Sequence, residues 1–202
     1  MPAGFNVSVL KPIIKNDKNP NDDISNTRPV AISSIQNLFE RVLLMELNKT
    51  HNEHEQQFGL KRNSSCSHAV FTIYQAANYA KVTGRRLYAC AVDASKAFDK
   101  VSRPHLWKKL IEKGVEVSII LAIIHYYKDS FMIVQLEDEF SEVFRTTMGV
   151  RQGCVLSLKI FAIFVDDLIL ELEATGLGLE IGNMKITVIM YADDLLLMTI
   201  EY

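Results

Sequence analysis

Apolar positions along the chain follow two periods, one suited to helices and one to strands. Behind Ser33-Ser34, residue types that cap helix starts, Ile35, Leu38, Phe39, Val42, Leu43 and Leu47 recur at helical spacing. They predict a helix to about Asn48 with those side chains on its buried face. A second helix is expected from about Ser67 to Val82, closed by Gly84. Ser102 and Pro104 start another, with Leu106, Leu110 and Ile111 facing inward and Gly114 at its end. Val117 to Lys128 reads as the next. Val155 to Ala174 carries a long stripe of Leu156, Ile160, Phe161, Phe164, Leu168 and Leu172 ahead of Gly176 and Gly178.

Strand signals fall between these helices. Leu87 to Val92 reads as a buried strand, and Phe131–Leu136 with Glu142–Thr147 as a hairpin about Glu137-Asp138-Glu139-Phe140. Ile186–Met190 and Leu195–Met198 form a second expected hairpin of two buried strands, with Tyr191-Ala192-Asp193-Asp194 at its turn. Lys15–Thr27 reads as an exposed polar loop, and His51-Asn52-Glu53-His54-Glu55 as a solvated one whose histidines lack the zinc-protease spacing. Strands joined mostly by hairpins, with helices inserted, predict an α+β fold with a largely antiparallel sheet.

The candidate chemistry centres on that second turn. Adjacent carboxylates between apolar strands cost several kcal/mol unless a cation compensates them. Asp93, at the carboxyl end of the Leu87–Val92 strand, offers a third. Hard divalent ions such as Mg²⁺ prefer oxygen ligands, and nucleotidyl transfer uses a pair of ions about 3.5–4 Å apart held by shared carboxylates. Asp166-Asp167 compete less well, because consecutive helical residues point about 100° apart. Asp99 lies past the strand end and reads as a local hydrogen-bonding or capping residue.

On these residues the chain resembles the reverse transcriptase domain of a non-LTR retrotransposon, of the jockey or LINE type. Tyr191-Ala192-Asp193-Asp194 resembles that family's catalytic hairpin, and Val92-Asp93-Ala94-Ser95-Lys96-Ala97-Phe98-Asp99 its first catalytic block. Gly149-Val150-Arg151-Gln152-Gly153-Cys154-Val155-Leu156-Ser157 resembles the block that contacts template and nucleotide. Pro12-Ile13-Ile14-Lys15 and Asn26-Thr27-Arg28-Pro29-Val30 resemble the fingers motifs, and Gln57-Phe58-Gly59-Leu60-Lys61 the segment ahead of the palm.

The resemblance implies an RNA-directed DNA polymerase built as fingers and palm, about residues 1–85 fingers-like and 86–202 mainly palm with part of the fingers. It implies that Asp93, Asp193 and Asp194 hold two Mg²⁺, with Mn²⁺ as an alternative, and that Lys15 and Arg28 grip the incoming triphosphate. Phe98 is implied as a steric gate against a 2′-hydroxyl, Gln152 and Gly153 as nucleotide and template contacts, and Tyr191 as a neighbour of the primer end. The implied partners are an RNA template, a DNA primer and dNTPs. Lys61, Arg62, Arg85, Arg86, Lys96, Lys100 and Arg103 are candidates for following nucleic-acid phosphates.

The pattern departs in places. Thr27 stands where Tyr is usual and Leu158 where Pro is usual. A thumb after the catalytic hairpin and an endonuclease ahead of the fingers are expected as further domains outside these residues, so Leu195–Ile200 is expected to lack cover. The alternative reading is a catalytically weak or inactive remnant serving as a nucleic-acid-binding scaffold. A second alternative, an RNA-copying RNA polymerase, more often carries Gly before the paired Asp.

Composition changes this picture little. A 202-residue chain with 49% hydrophobic and 23% charged residues is of globular type. The net charge of -2 leaves nucleic-acid binding to local patches. Cys66, Cys90 and Cys154 lack zinc spacing and predict reduced thiols in an intracellular setting, nucleus or cytoplasm. Val117–Tyr127, the most apolar stretch, is too short to span a bilayer, so no membrane partner is expected.

Overall fold

The computed structural model describes residues 5–18, 23–32, 34–182 and 184–201. In order they form β1 (Val7–Ile14), β2 (Thr27–Ile32), α1 (Ser34–Thr50), α2 (Cys66–Val82), β3 (Leu87–Asp93), α3 (Arg103–Glu112), α4 (Val117–Lys128) and β4 (Phe131–Leu136). There follow β5 (Glu139–Phe140), β6 (Phe144–Arg145), α5 (Val155–Ala174), β7 (Leu179–Ile181), β8 (Met184–Ile186), β9 (Val188–Tyr191) and β10 (Asp194–Ile200). Helix and strand are mixed, and among the described residues named strands pair antiparallel except β1 with β4. The α+β class is therefore observed. The helix cap expected of Ser33-Ser34, and part of the expected loop at 15–27, lie outside the described residues.

The chain divides into two compact units, Met1–His51 with Phe98–Ile160 and Asn52–Ala97 with Phe161–Tyr202. In the first, a sheet runs β2-β1-β4-β5, with β6 also on β4. Pro12 faces Pro29 across β1 and β2. Neither ring nitrogen can donate to the ladder, which is tolerated because β2 is an edge strand and Pro12 lies past Leu10, where the pairing of β1 with β4 ends. The β4 hairpin turns more tightly than expected, at Glu137-Asp138, with Glu137 at φ 53. Its return strand breaks into β5 and β6 with a one-residue slip, from Gln135↔Phe140 to Met132↔Phe144, as a bulge produces.

Beside this sheet α4 packs with α1 and α3. The face of α1 departs from expectation. Leu43 and Leu47 are 3% and 0% exposed, but Ile35, Leu38 and Val42 are 73%, 70% and 55% exposed. Gln36 and Glu40 turn inward in their place, because both find buried hydrogen-bond partners there. In α3, Leu106 and Leu110 are buried as expected and Ile111 is exposed.

The second unit holds the antiparallel sheet β3-β10-β9. Alternation divides its side chains between two cores. Ile189, Leu196, Met198 and Ile200 pack with Ala69, Ala76 and Ala80 of α2, small residues that let helix and sheet approach closely. Val188, Met190, Leu195 and Leu197 pack against Val165, Ile169 and Leu172 of α5. The β10 side chains expected to lack cover are thus half-buried or buried from Leu195 to Ile200. The burial expected of β3 is corrected instead: only Leu87 is half-buried, and the rest of the strand is exposed. As the sheet's edge strand it has one neighbour, and its central Ala89, Cys90 and Ala91 are too small to reach far into either core.

The expected solvated loop at 51–55 is also more engaged than its polarity implies. His51 is buried and its carbonyl accepts a hydrogen bond from Lys159 Nζ at 2.6 Å, while His54 Nε2 lies 3.3 Å from Glu173. Cys66, Cys90 and Cys154 are not joined in disulfides. No helix among the described residues is long and apolar enough to cross a membrane.

Candidate active site

The β9–β10 hairpin closes with Tyr191 paired to Asp194, so Ala192 and Asp193 form a two-residue turn. Ala192 sits at φ 59. For a residue with a Cβ this left-handed conformation costs about 1–2 kcal/mol, and surrounding contacts must enforce it. On the other side of β10 the register places Asp194 directly opposite Asp93. Directly opposed residues of an antiparallel pair have Cα atoms about 4.5–5.5 Å apart. Asp93, Asp194 and the turn residue Asp193 therefore occupy one end of one sheet, together with the exposed Tyr191.

Like charges directly opposed across a ladder destabilise it, by a few tenths to about 1 kcal/mol. Asp93 and Asp194 are exposed, Asp193 is half-buried, and among the described residues none of the three carboxylates has a hydrogen-bond or ion-pair partner. As placed, no group of three His, Cys, Asp or Glu side chains among the described residues converges closely enough to hold a metal ion. The donor chemistry nonetheless fits a hard divalent cation: all oxygen, all anionic, unpartnered and fixed by backbone register to adjoining positions. Asp93, Asp193 and Asp194 are the residues that would hold it.

The turn is braced from outside the sheet. Phe58 N–H donates to Met190 O at 2.7 Å and Met190 N–H to Gln56 O at 2.9 Å, a short parallel bridge along the outer edge of β9. Gly59 then passes beneath the turn so closely that a Cβ there would lie 2.3 Å from Ala192 N. Only glycine fits. Of the expected competitors, Asp166 is buried within α5.

The remaining expected site residues belong to the first unit. Lys15 and Arg28 are exposed at the far ends of the β1–β2 hairpin, where Arg28 pairs with Ile13 and Lys15 N–H bonds to Asn26 O. Thr27, in the place of the usual Tyr, donates its hydroxyl to Ile24 O at 2.8 Å. Gly153 lies at φ 94 against Ala31, and Ala31 N–H donates to Gln152 O at 3.0 Å. Gln152 Nε2 donates to Asp99 Oδ1 at 3.2 Å, so Asp99 does accept a hydrogen bond, but from a residue distant in sequence and not the local one expected. Phe98 is half-buried, and its carbonyl accepts Val150 N–H at 2.9 Å. Between Pro29, Ala31, Asp99, Met148 and Gln152 a cleft of about 210 Å³ opens.

Sequence reasoning missed what fixes this block in place. Arg151, 1% exposed, donates through Nη1 to Gln36 Oε1 and to Tyr126 Oη, both at 2.6 Å, and through Nη2 to Ser130 Oγ at 2.9 Å. Tyr126 in turn donates to Glu40 Oε1 at 2.6 Å, and Glu40 Oε2 accepts Leu156 N–H at 3.2 Å. A buried cation and a buried anion are thus joined through one phenol. Burial raises the Tyr126 pKa well above that of free tyrosine, and burial does the same for Tyr127. A signal existed in Gln36 and Glu40, polar residues at i, i+4 on α1, but nothing local tied them to Arg151.

Arg103 is corrected outright as a phosphate contact. It is buried, and its guanidinium bonds to Gly149 O, Tyr127 O, Thr146 O, Thr146 Oγ1 and Met148 O at 2.7–3.2 Å, which uses its whole donor set. Burial lowers its pKa from the usual arginine value. Lys96, Lys100, Arg62, Arg85 and Arg86 remain exposed.

The arrangement is the fingers-and-palm class of fold. It superimposes on the solved chain of apo telomerase from Candida tropicalis truncated from its C-terminal domain, with a TM-score of 0.64 at 15% identity over 96% of this chain and 44% of that one. Over residues 13–201 the sequence matches the reverse transcriptase (RNA-dependent DNA polymerase) family, and the chain belongs to that family. The non-LTR character implied by its motifs agrees with its relatives. It is 30% identical over 86% of its length to the retrovirus-related Pol polyprotein of the type-1 retrotransposable element R2 of Popillia japonica, covering 25% of that protein. It is 25% identical over 84% of its length to the corresponding type-2 element R2DM protein of Drosophila melanogaster, covering 16% of that protein. The chain thus spans a quarter or less of the length of these relatives.

Proposed function

We propose that this chain performs RNA-directed DNA synthesis, the templated addition of deoxynucleotides to a primer 3′-hydroxyl, with RNA as template. Residues 1–85 serve as fingers, and 86–202 mainly as palm with part of the fingers. Asp93, Asp193 and Asp194 hold two Mg²⁺, for which Mn²⁺ can substitute. When bound, such ions activate the attacking hydroxyl and neutralise charge on the leaving pyrophosphate. Lys15 and Arg28 bind triphosphate oxygens, Arg as a planar fork and Lys as a point charge. Phe98 excludes a 2′-hydroxyl by bulk, Gln152 and Gly153 line the nucleotide and template, and Tyr191 lies beside the primer end.

The observation that carries this reading is the antiparallel register that sets Asp93 against Asp194 with Asp193 in the adjoining turn. Primer extension on an RNA template with Mg²⁺ and dNTPs tests it, with Asp193→Asn as the comparison. The expected result is weak extension by the unsubstituted chain, its loss in D193N, and rNTP incorporation gained in Phe98→Ala. Equal extension with and without the substitution overturns the assignment. RNA binding without any extension would favour the scaffold instead.

A further inference from the structure

Resting on that reading of the aspartates, we infer that Gln57 is a positioning residue, whose side-chain amide holds the Ala192-Asp193 turn in the conformation that presents Asp193 beside Asp93 and Asp194. Gln57 is 0% exposed. Its Oε1 accepts two backbone N–H groups, Gly59 at 3.1 Å and Ala192 at 3.2 Å, and its Nε2 faces Ala192 O at 3.5 Å. Two amide donors require an acceptor, and only Oε1 is one, so the orientation of the side chain is determined. One amide therefore engages both backbone polar groups of the residue held at φ 59. Immediately after that residue comes Asp193.

The brace is itself anchored independently of the turn. Its backbone is tied to Met190 on either side of Gln57, and Phe58 packs on the α2 side of the sheet beside Ile189 and Leu196. Gly59, with no room for a Cβ, keeps the amide within reach. If the Gln57 bonds are lost, the turn is free to leave its left-handed conformation, and Asp193 moves with it. The ladder pair Asp93–Asp194 does not depend on this contact. The effect belongs to the assembly of all three carboxylates, and it is predicted to appear in ion affinity.

The test is Mn²⁺ titrated into the full chain, the free ion followed by electron paramagnetic resonance, for the unsubstituted protein, D193N, Gln57→Met and Gln57→Glu. Partners that orient metal ligands typically contribute 10–100-fold to affinity. Q57M, which keeps the shape and loses the acceptor, is expected to bind Mn²⁺ about tenfold more weakly. Q57E, which keeps the acceptor but replaces the donor facing Ala192 O with an oxygen, is expected to weaken binding less than Q57M. Q57M with unchanged affinity, or equal weakening in both variants, overturns the inference. Hydrogen exchange in the unsubstituted chain supplies an arm that needs no variant to fold: the Ala192 amide is expected to be protected, and exchange as fast as an exposed loop amide overturns the brace. If D193N and the unsubstituted chain bind Mn²⁺ alike, the ligand assignment fails separately, and the Ala192 amide alone decides on Gln57.

Discussion

Arg151 illustrates how a single side chain can matter without touching the chemistry. Its guanidinium is linked to the buried Glu40 through the Tyr126 hydroxyl, which accepts from Arg151 and donates to Glu40. Removing one member of such a buried charge pair strands the other, at about 3–5 kcal/mol. Arg151→Met is therefore expected to lower the unfolding free energy by about that amount in urea titrations. Glu40→Gln in the same chain should recover part of the loss, since the two positions share a network. Neither effect was legible in the sequence. The paired aspartates were, because adjacent carboxylates flanked by apolar strands have few inexpensive explanations. Arg151 and Glu40 each read as ordinary, and only the fold brings them together.

Among the elements, existence was easier to read than orientation. The spacing of apolar residues located α3, α4 and α5 to within a residue or so, and the hairpin around Asp193 was in place. Which side of a helix faces inward depends on the partner, and periodicity alone does not contain it. On α1 the apolar stripe Ile35, Leu38, Val42 points outward and the polar Gln36 and Glu40 point in. Leu38→Gln and Val42→Gln are accordingly expected to change the unfolding free energy by less than about 0.5 kcal/mol. Leu43→Ala or Leu47→Ala should each cost about 2–5 kcal/mol by leaving a cavity. Chemical denaturation of the four variants distinguishes the two faces. The strand β3 repeats the lesson: its extended conformation followed from its residues, while its exposure follows from its position at a sheet edge.

Taken whole, the molecule is expected to lose stability in alkali through Tyr126 and Tyr127. Burial raises both pKa values, so each phenol keeps its proton in the folded chain beyond the point, near pH 10, at which it is lost in the unfolded chain. The stabilisation is fully present below about pH 10 and declines as pH rises toward the folded values, by up to about 1.4 kcal/mol per pH unit for each group. Urea unfolding at pH 9 and 11 should show the decline, and Tyr127→Phe should lessen its slope. Among the described residues β3 pairs only with β10, which follows about 100 residues later. At roughly 5–20 residues per second, the ribosome leaves β3 waiting some 5–20 s with its ladder groups unanswered, long enough for a nascent strand to meet a wrong neighbour. Asp93 thus emerges well before the residue it must face has been made, and a chaperone that shields the growing chain would protect this interval first.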